Sequence, residues 1–308
     1  MNRIKLSTAA LLLATAGTAQ AAIFSPEELG TPNGKLAMKS LRAAPADALE
    51  AAMPRYDQTK LQQHLMQLAK NGEALSVARG LGNIHRTGTR ATLEMAGQRE
   101  TGEAQINAAN GELRFDRADK LETISPIPLA VGHMQKATIA DQHKQLLASY
   151  GIDKRNTQLI ETNVLVQQTE ALKGGSAPSE PKLQGYLSVA VRAAGELIVE
   201  DQRARLVSDR DGRLRMLSMN WPALKLSAAT AGGDLKSRAE VLQEIANRLG
   251  GKTQLDQVDV RMAVVLRPLT SRLGTVHVPA MRVGVTPRNG EAGEIFYVDL
   301  SREAASAS

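Results

Sequence analysis

The sequence predicts an α+β chain in which helices pack on curved antiparallel sheets, with two similar helix-then-strands units after a mixed N-terminal region. Three observations lead there. First, a helical stretch, a glycine and then strand-like alternation occur in that order twice, at Ala130–Tyr150 before Gly151 and at Leu235–Leu249 before Gly250 and Gly251. Glycine just past a helix enters the left-handed conformation without the penalty of a Cβ. Second, Asn110-Gly111 and Asp209-Arg210-Asp211-Gly212 each separate two alternating runs, as hairpin turns do. Third, Pro181–Lys225 holds three such runs and the only tryptophan. A helix laid on the apolar face of such a sheet is the simplest way to bury both.

Residues 1–21 carry Arg3 and Lys5, an apolar Ser7–Gly17 and an Ala19-Gln20-Ala21 cleavage site. This is the pattern of a secretory signal peptide cut after Ala21, too short for a convincing membrane span. The expectation is a soluble, exported mature chain, periplasmic or extracellular, with no transmembrane segment. Residues 22–125 read as a mixed α/β region. It begins loosely, forms a short helix near Ala44–Ala52 and a longer one over Asp57–Gly80, where Leu61, Leu65, Leu68 and Leu75 recur near helical spacing. Asp57 is placed to cap that helix and Asn71-Gly72 to break it. Thr89–Arg117 turns to strands around the Asn110-Gly111 hairpin, and Pro126 and Pro128 mark a boundary. Residues 126–230 form the first helix-and-strand unit: the Ala130–Tyr150 helix, a strand at Gln158–Gln167, a Gly174–Pro181 loop and the Pro181–Lys225 stretch. Residues 231–301 form the second, with strands at Gln257–Arg267, Thr275–Val285 and Glu294–Leu300, and 302–308 form a disordered tail.

Composition narrows the chemistry. The chain has no cysteine, so thiolate metal sites, cysteine nucleophiles and disulfides are excluded. Stability must come from an ordinary core, which about 285 residues can build. Net charge is +6, and removing Arg3 and Lys5 leaves 6 − 2 = +4, a modest excess that suits an anionic partner and gives no reason to expect nucleic acid. Gly250-Gly251-Lys252-Thr253 resembles a P-loop end, but it closes a helix instead of opening one. Asp209 and Asp211 lack the remaining ligands of a calcium loop. The five histidines, His64, His85, His133, His143 and His277, show no metal-binding spacing, and no G-x-S-x-G is present. No cofactor and no catalytic residue is predicted.

Strand alternation places Ala204, Leu206, Leu214 and Met216 on one face of a hairpin and Arg203, Arg205, Arg213 and Arg215 on the other. These four arginines are the candidates for binding a partner, because guanidinium forks pair with carboxylate and phosphate. Gly195, Asp209, Asp211, Gly212 and Trp221 are expected to be structural, Trp221 as core, since Met216, Leu217, Met219, Pro222 and Leu224 surround it in sequence.

Gly195-Glu196-Leu197-Ile198-Val199 and Ser208-Asp209-Arg210-Asp211-Gly212-Arg213-Leu214 together resemble the "G-x-P-V" and "D-x-D-G-x-V" segments of fungalysin/thermolysin propeptides and of PepSY domains. The likeness spans about residues 130–226, with Leu197 in place of the family's proline. It implies a non-catalytic module that inhibits a secreted peptidase or helps it fold. Two other readings remain open: a carrier or envelope module binding an anionic lipid or polymer, and an enzyme with an unrecognised site.

Overall fold

The computed structural model describes residues 45–71, 76–117, 127–167, 180–226, 233–249, 258–271, 274–287 and 293–302. The predicted leader, most of the predicted N-terminal start, Gly72, Pro126, the greater part of the predicted Gly174–Pro181 loop, Gly250-Gly251 and all but the first residue of the predicted tail lie outside them. The helices are α1 (Pro45–Ala52), α2 (Gln58–Asn71), α3 (Ser76–Gly82), α4 (Leu129–Ser149) and α5 (Arg238–Leu249). The strands are β1 (Arg86–Thr87), β2 (Arg90–Met95), β3 (Gln98–Asn107), β4 (Glu112–Arg117), β5 (Ile127–Pro128) and β6 (Thr157–Gln167). They continue with β7 (Lys182–Ala194), β8 (Leu197–Asp209), β9 (Leu214–Asn220), β10 (Val258–Ser271), β11 (Gly274–Pro287) and β12 (Glu294–Asp299).

The predicted α+β class is corrected by this inventory: the fold is β-rich, with twelve strands in large mixed pairing and few helices among the described residues. The reason is where the core lies. Of the 21 residues of α4 only Gly132, Ile139, His143, Leu146 and Leu147 are buried, and α5 buries Val241, Ile245 and Leu249. Met262–Leu266 of β10, by contrast, are buried at every position, so that strand is covered on both faces. Sequence periodicity weighs a helix and a strand alike, whereas most of this core is supplied by strands.

The chain divides into two compact units, each built from separated segments, so the expected boundaries near 126 and 231 do not coincide with them. The first contains Leu75–Val191 and Gln202–Pro222. Its strands pair in the order β1-β2-β3-β4-β9-β8-β7, with β5 and β6 also on β7. At the Asn110-Gly111 turn, Asn107 pairs with Glu112 and Ile106 with Leu113. Gly111 has φ 64°, and a Cβ there would lie 2.0 Å from the Trp221 carbonyl oxygen, so no larger residue fits. Leu93, Leu113, Phe115, Leu147, Leu206, Leu217 and Trp221 belong to its core. The end of α4 is a Schellman-type stop: the Ile152 amide donates to Leu147 O and Gly151 has φ 85°.

The second unit contains Arg192–Asp201 and Ala223 onward together with the segment up to Ala74. Its ladder runs β8-β10-β11-β12, with a short parallel pairing of Ile198 to Val265 and Val199 to Leu266 and long antiparallel pairing between β10 and β11. Asp57 caps α2, its Oδ1 accepting from the amides of Thr59 and Lys60 at 2.9 and 3.1 Å. Ser237 and Glu240 form a reciprocal capping box at α5.

Candidate functional site

The hairpin of β8 and β9 forms at the Asp209–Gly212 turn. Asp209 Oδ1 accepts from the amides of Asp211 and Arg213 at 3.0 and 2.9 Å, and Gly212 has φ 80°. Its arginines do not make a common face. Arg203 and Arg205 stand opposite Asn220 and Ser218, while Val207 pairs with Met216 and Ser208 with Leu214. Arg215 is therefore the extra residue of a β-bulge, and Met216 is turned onto the face that carries Arg203 and Arg205. Burial, and then the neighbouring Arg203 charge, lowers the pKa of Arg205.

Arg213 lies before β9 and is held from inside. Its guanidinium donates to both oxygens of Glu100, Nε at 2.7 Å and Nη2 at 3.0 Å. Glu100 is buried, and Arg117 reaches it at 3.6 Å while also pairing with Asp209 at 2.9 Å. This four-residue ion network ties β3, β4 and the hairpin turn together. Arg213→Glu is expected to destabilise by about 1–2 kcal/mol, since it sets a second carboxylate against Glu100 at a half-exposed site. Arg203→Glu is expected to stay within about 0.5 kcal/mol of wild type, as an ordinary surface change. Urea midpoints of the two variants compare them directly, and equal midpoints would remove the Glu100 anchor from this account.

Gly195 turns β7 into β8 with φ 62°, and a Cβ there would meet the His64 ring at 2.6 Å. That ring donates through Nε2 to Ala194 O at 3.0 Å. Trp221 is 2% exposed, and its amide donates to Gly111 O at 3.0 Å.

A buried polar cluster was not foreseen. His143 of α4 contacts Ser188 Oγ through Nδ1 and Ser208 Oγ through Nε2, each at 2.6 Å, and Ser188 Oγ lies 2.7 Å from Thr162 Oγ1. A serine hydroxyl on an imidazole is the elementary pair of nucleophilic catalysis. Here His143 and Ser188 are 0% exposed and Ser208 is 1% exposed, so the pair is sealed and pins α4 to β6, β7 and β8. Burial pushes the His143 pKa down to about 4. The available signal was Ser208: by period two it falls on the apolar face of Ala204 and Leu206, and a buried hydroxyl needs a partner.

The first unit carries a cleft of about 740 Å³ between the end of α3, the β2–β3 hairpin and α4. Asn83, Ile84 and His85 form one wall, Thr92–Gly97 and Arg99 a second, and Gln142, Gln145, Leu146, Ser149 and Tyr150 a third. The floor is apolar, with Leu93, Met95 and Leu146 buried in the core beneath it. Burial raises the Tyr150 pKa to about 12, so its hydroxyl stays protonated. Arg99 and Glu94 neutralise each other at 3.3 Å. The cleft thus presents carboxamides, hydroxyls and backbone with little net charge, a lining that offers hydrogen bonds to a polar, uncharged chain. Its volume falls within the usual range for ligand clefts. None of the four candidate arginines, Arg203, Arg205, Arg213 and Arg215, lines it; the cleft's one arginine is Arg99.

Among the described residues, no group of three or more His, Cys, Asp or Glu is placed to hold a metal ion, and no helix is long and apolar enough to cross a membrane. No family model, no curated protein and no solved structure matches the chain.

Proposed function

We propose that this is an exported, non-catalytic binding protein, propeptide-like in kind, that engages a protein partner, with a secreted peptidase as the first partner to test. The observation that carries the reading is the lining of the cleft in the first unit: carboxamide, hydroxyl and backbone groups over an apolar floor. Side-chain amides both donate and accept, as peptide groups do, so this lining is complementary to a polypeptide. The Ser–His contacts of the same unit are turned inward, away from any substrate. The export reading rests on the Arg3–Ala21 leader pattern, and the propeptide likeness on the Gly195–Val199 and Ser208–Leu214 segments.

The test is to incubate the purified protein with the exported peptidases of its source organism and follow co-elution, inhibition and recovery of denatured peptidase. Retention, inhibition or improved refolding of one of them supports the proposal. If none occurs, and mass spectrometry instead finds an anionic lipid or polymer co-purifying from the native envelope, the protein is an envelope carrier.

A further inference from the structure

Among the described residues, one strand edge bordering this cleft lacks a neighbour along part of its length. The Ala104 amide donates to Thr89 O at 2.7 Å and the Thr92 amide to His85 O at 3.2 Å, which sets the phase of β2. In the antiparallel register of β2 with β3, Ala91, Leu93 and Met95 therefore turn their backbone groups toward β3, and Arg90, Thr92 and Glu94 turn theirs to the opposite edge. On that edge β1 pairs only at Arg86 with Ala91 and Thr87 with Arg90. At Asn83 and Ile84 the chain curls back into α3, their amides donating to Gly80 O and Leu81 O. The Thr92 carbonyl and both backbone groups of Glu94 are left facing the line that β1 would have filled, and Thr92 and Glu94 line the cleft with Gln142 and Gln145 of α4.

We propose that this edge takes an extended segment of a partner polypeptide as an added strand beside β2, in line with β1, with the α4 carboxamides reading the segment's exposed peptide groups. Strand addition supplies affinity from main-chain hydrogen bonds and specificity from alternate side chains. A separate polypeptide segment suits the site better than a second copy of this chain. The edge is recessed between the end of α3 and α4, and a two-fold pairing would have to bring two equally recessed edges together. The inference rests on the protein-binding reading above and specifies how the partner is held.

The experiment selects dodecapeptides from a random displayed library on the full chain, synthesises the winner and titrates it by fluorescence anisotropy. Glu94→Pro removes only the outward amide, which β3 does not use, and proline is tolerated where a strand's N–H faces outward. It is expected to weaken binding tenfold or more beyond the loss in Glu94→Ala, the side-chain control, which gives up the Arg99 pair but keeps the amide. Hydrogen exchange at the Glu94 amide should slow in the wild-type complex. N-methylating alternate peptide amides repeats the test on unaltered protein: the set facing β2 should abolish binding, and the set facing the α4 carboxamides should weaken it far less. Binding that leaves the Glu94 amide unprotected, or that is indifferent to both N-methyl sets, overturns strand addition but leaves the peptide-binding reading intact. Failure to select any peptide that the cleft retains overturns both. Concentration-dependent self-association that displaces the peptide assigns the edge to a second copy and overturns the proposal.

Discussion

Trp221→Ala is expected to lower the unfolding free energy by about 3–5 kcal/mol, the usual cost of removing a large aromatic from a packed interior. Trp221 is 2% exposed and shares a core with Leu113, Phe115, Leu217 and Met219. Its backbone also closes against Gly111, where no Cβ fits, so the void cannot be filled by moving that turn inward. Urea unfolding followed by far-UV circular dichroism measures the loss without relying on the deleted fluorophore. In the wild type the single tryptophan reports on the first unit alone, which allows its transition to be separated from the whole-chain signal. Gly111→Ala should act on the same contact from the other side, through both the positive φ and the clash. A Trp221→Ala midpoint equal to wild type would show that the ring contributes nothing to the core.

Acid should unfold the first unit through His143. Its pKa is 6.5 in the unfolded chain and about 4 in the fold, because burial disfavours the charged ring. A folded-state pKa below the unfolded one means that the unfolded chain takes up the proton first. The stabilisation is thus complete above pH 6.5, is lost as pH falls toward 4, and changes no further below that. Between pH 7.5 and pH 4.5 the loss from this group is about 2–3 kcal/mol. His143→Gln retains a donor and an acceptor for Ser188 and Ser208 but does not titrate, so its stability should be flatter across that interval. The two proteins differ at position 143 alone, so the difference between the two curves is the quantity to read. Parallel curves for His143→Gln and wild type would sink this assignment.

Partner binding separates the remaining arginines by the same logic. Arg203 and Arg205 keep their place on a half-buried strand face, whereas Arg213 is committed to Glu100. A loss of binding in an Arg213 variant therefore has to be corrected for stability before it says anything about contact.

What the sequence by itself determined was local. The turns at Asn110-Gly111 and Asp209–Gly212, the Asp57 cap, the stop of α4 at Gly151 and the burial of Trp221 each depend on residues a few positions apart, and such signals survive whatever the rest of the chain does. Strand positions were legible for the same reason, as in Gln158–Gln167 against the observed Thr157–Gln167. The basic face was not. Period two holds only while a ladder is regular, and one inserted residue at Arg215 reassigns Met216 and leaves just two of the four arginines in register. The class of the fold was decided by how many strands pair and which of them are covered on both sides, as β10 is, and no helix periodicity reports that. Glu100 meets Arg213 across 113 residues, and His143 meets Ser188 and Ser208 across 45 and 65. Those pairings follow from the order in which strands take their neighbours, which only the completed tertiary structure sets, because hydrogen-bonded ladders are indifferent to side-chain identity while burial and charge pairing are not.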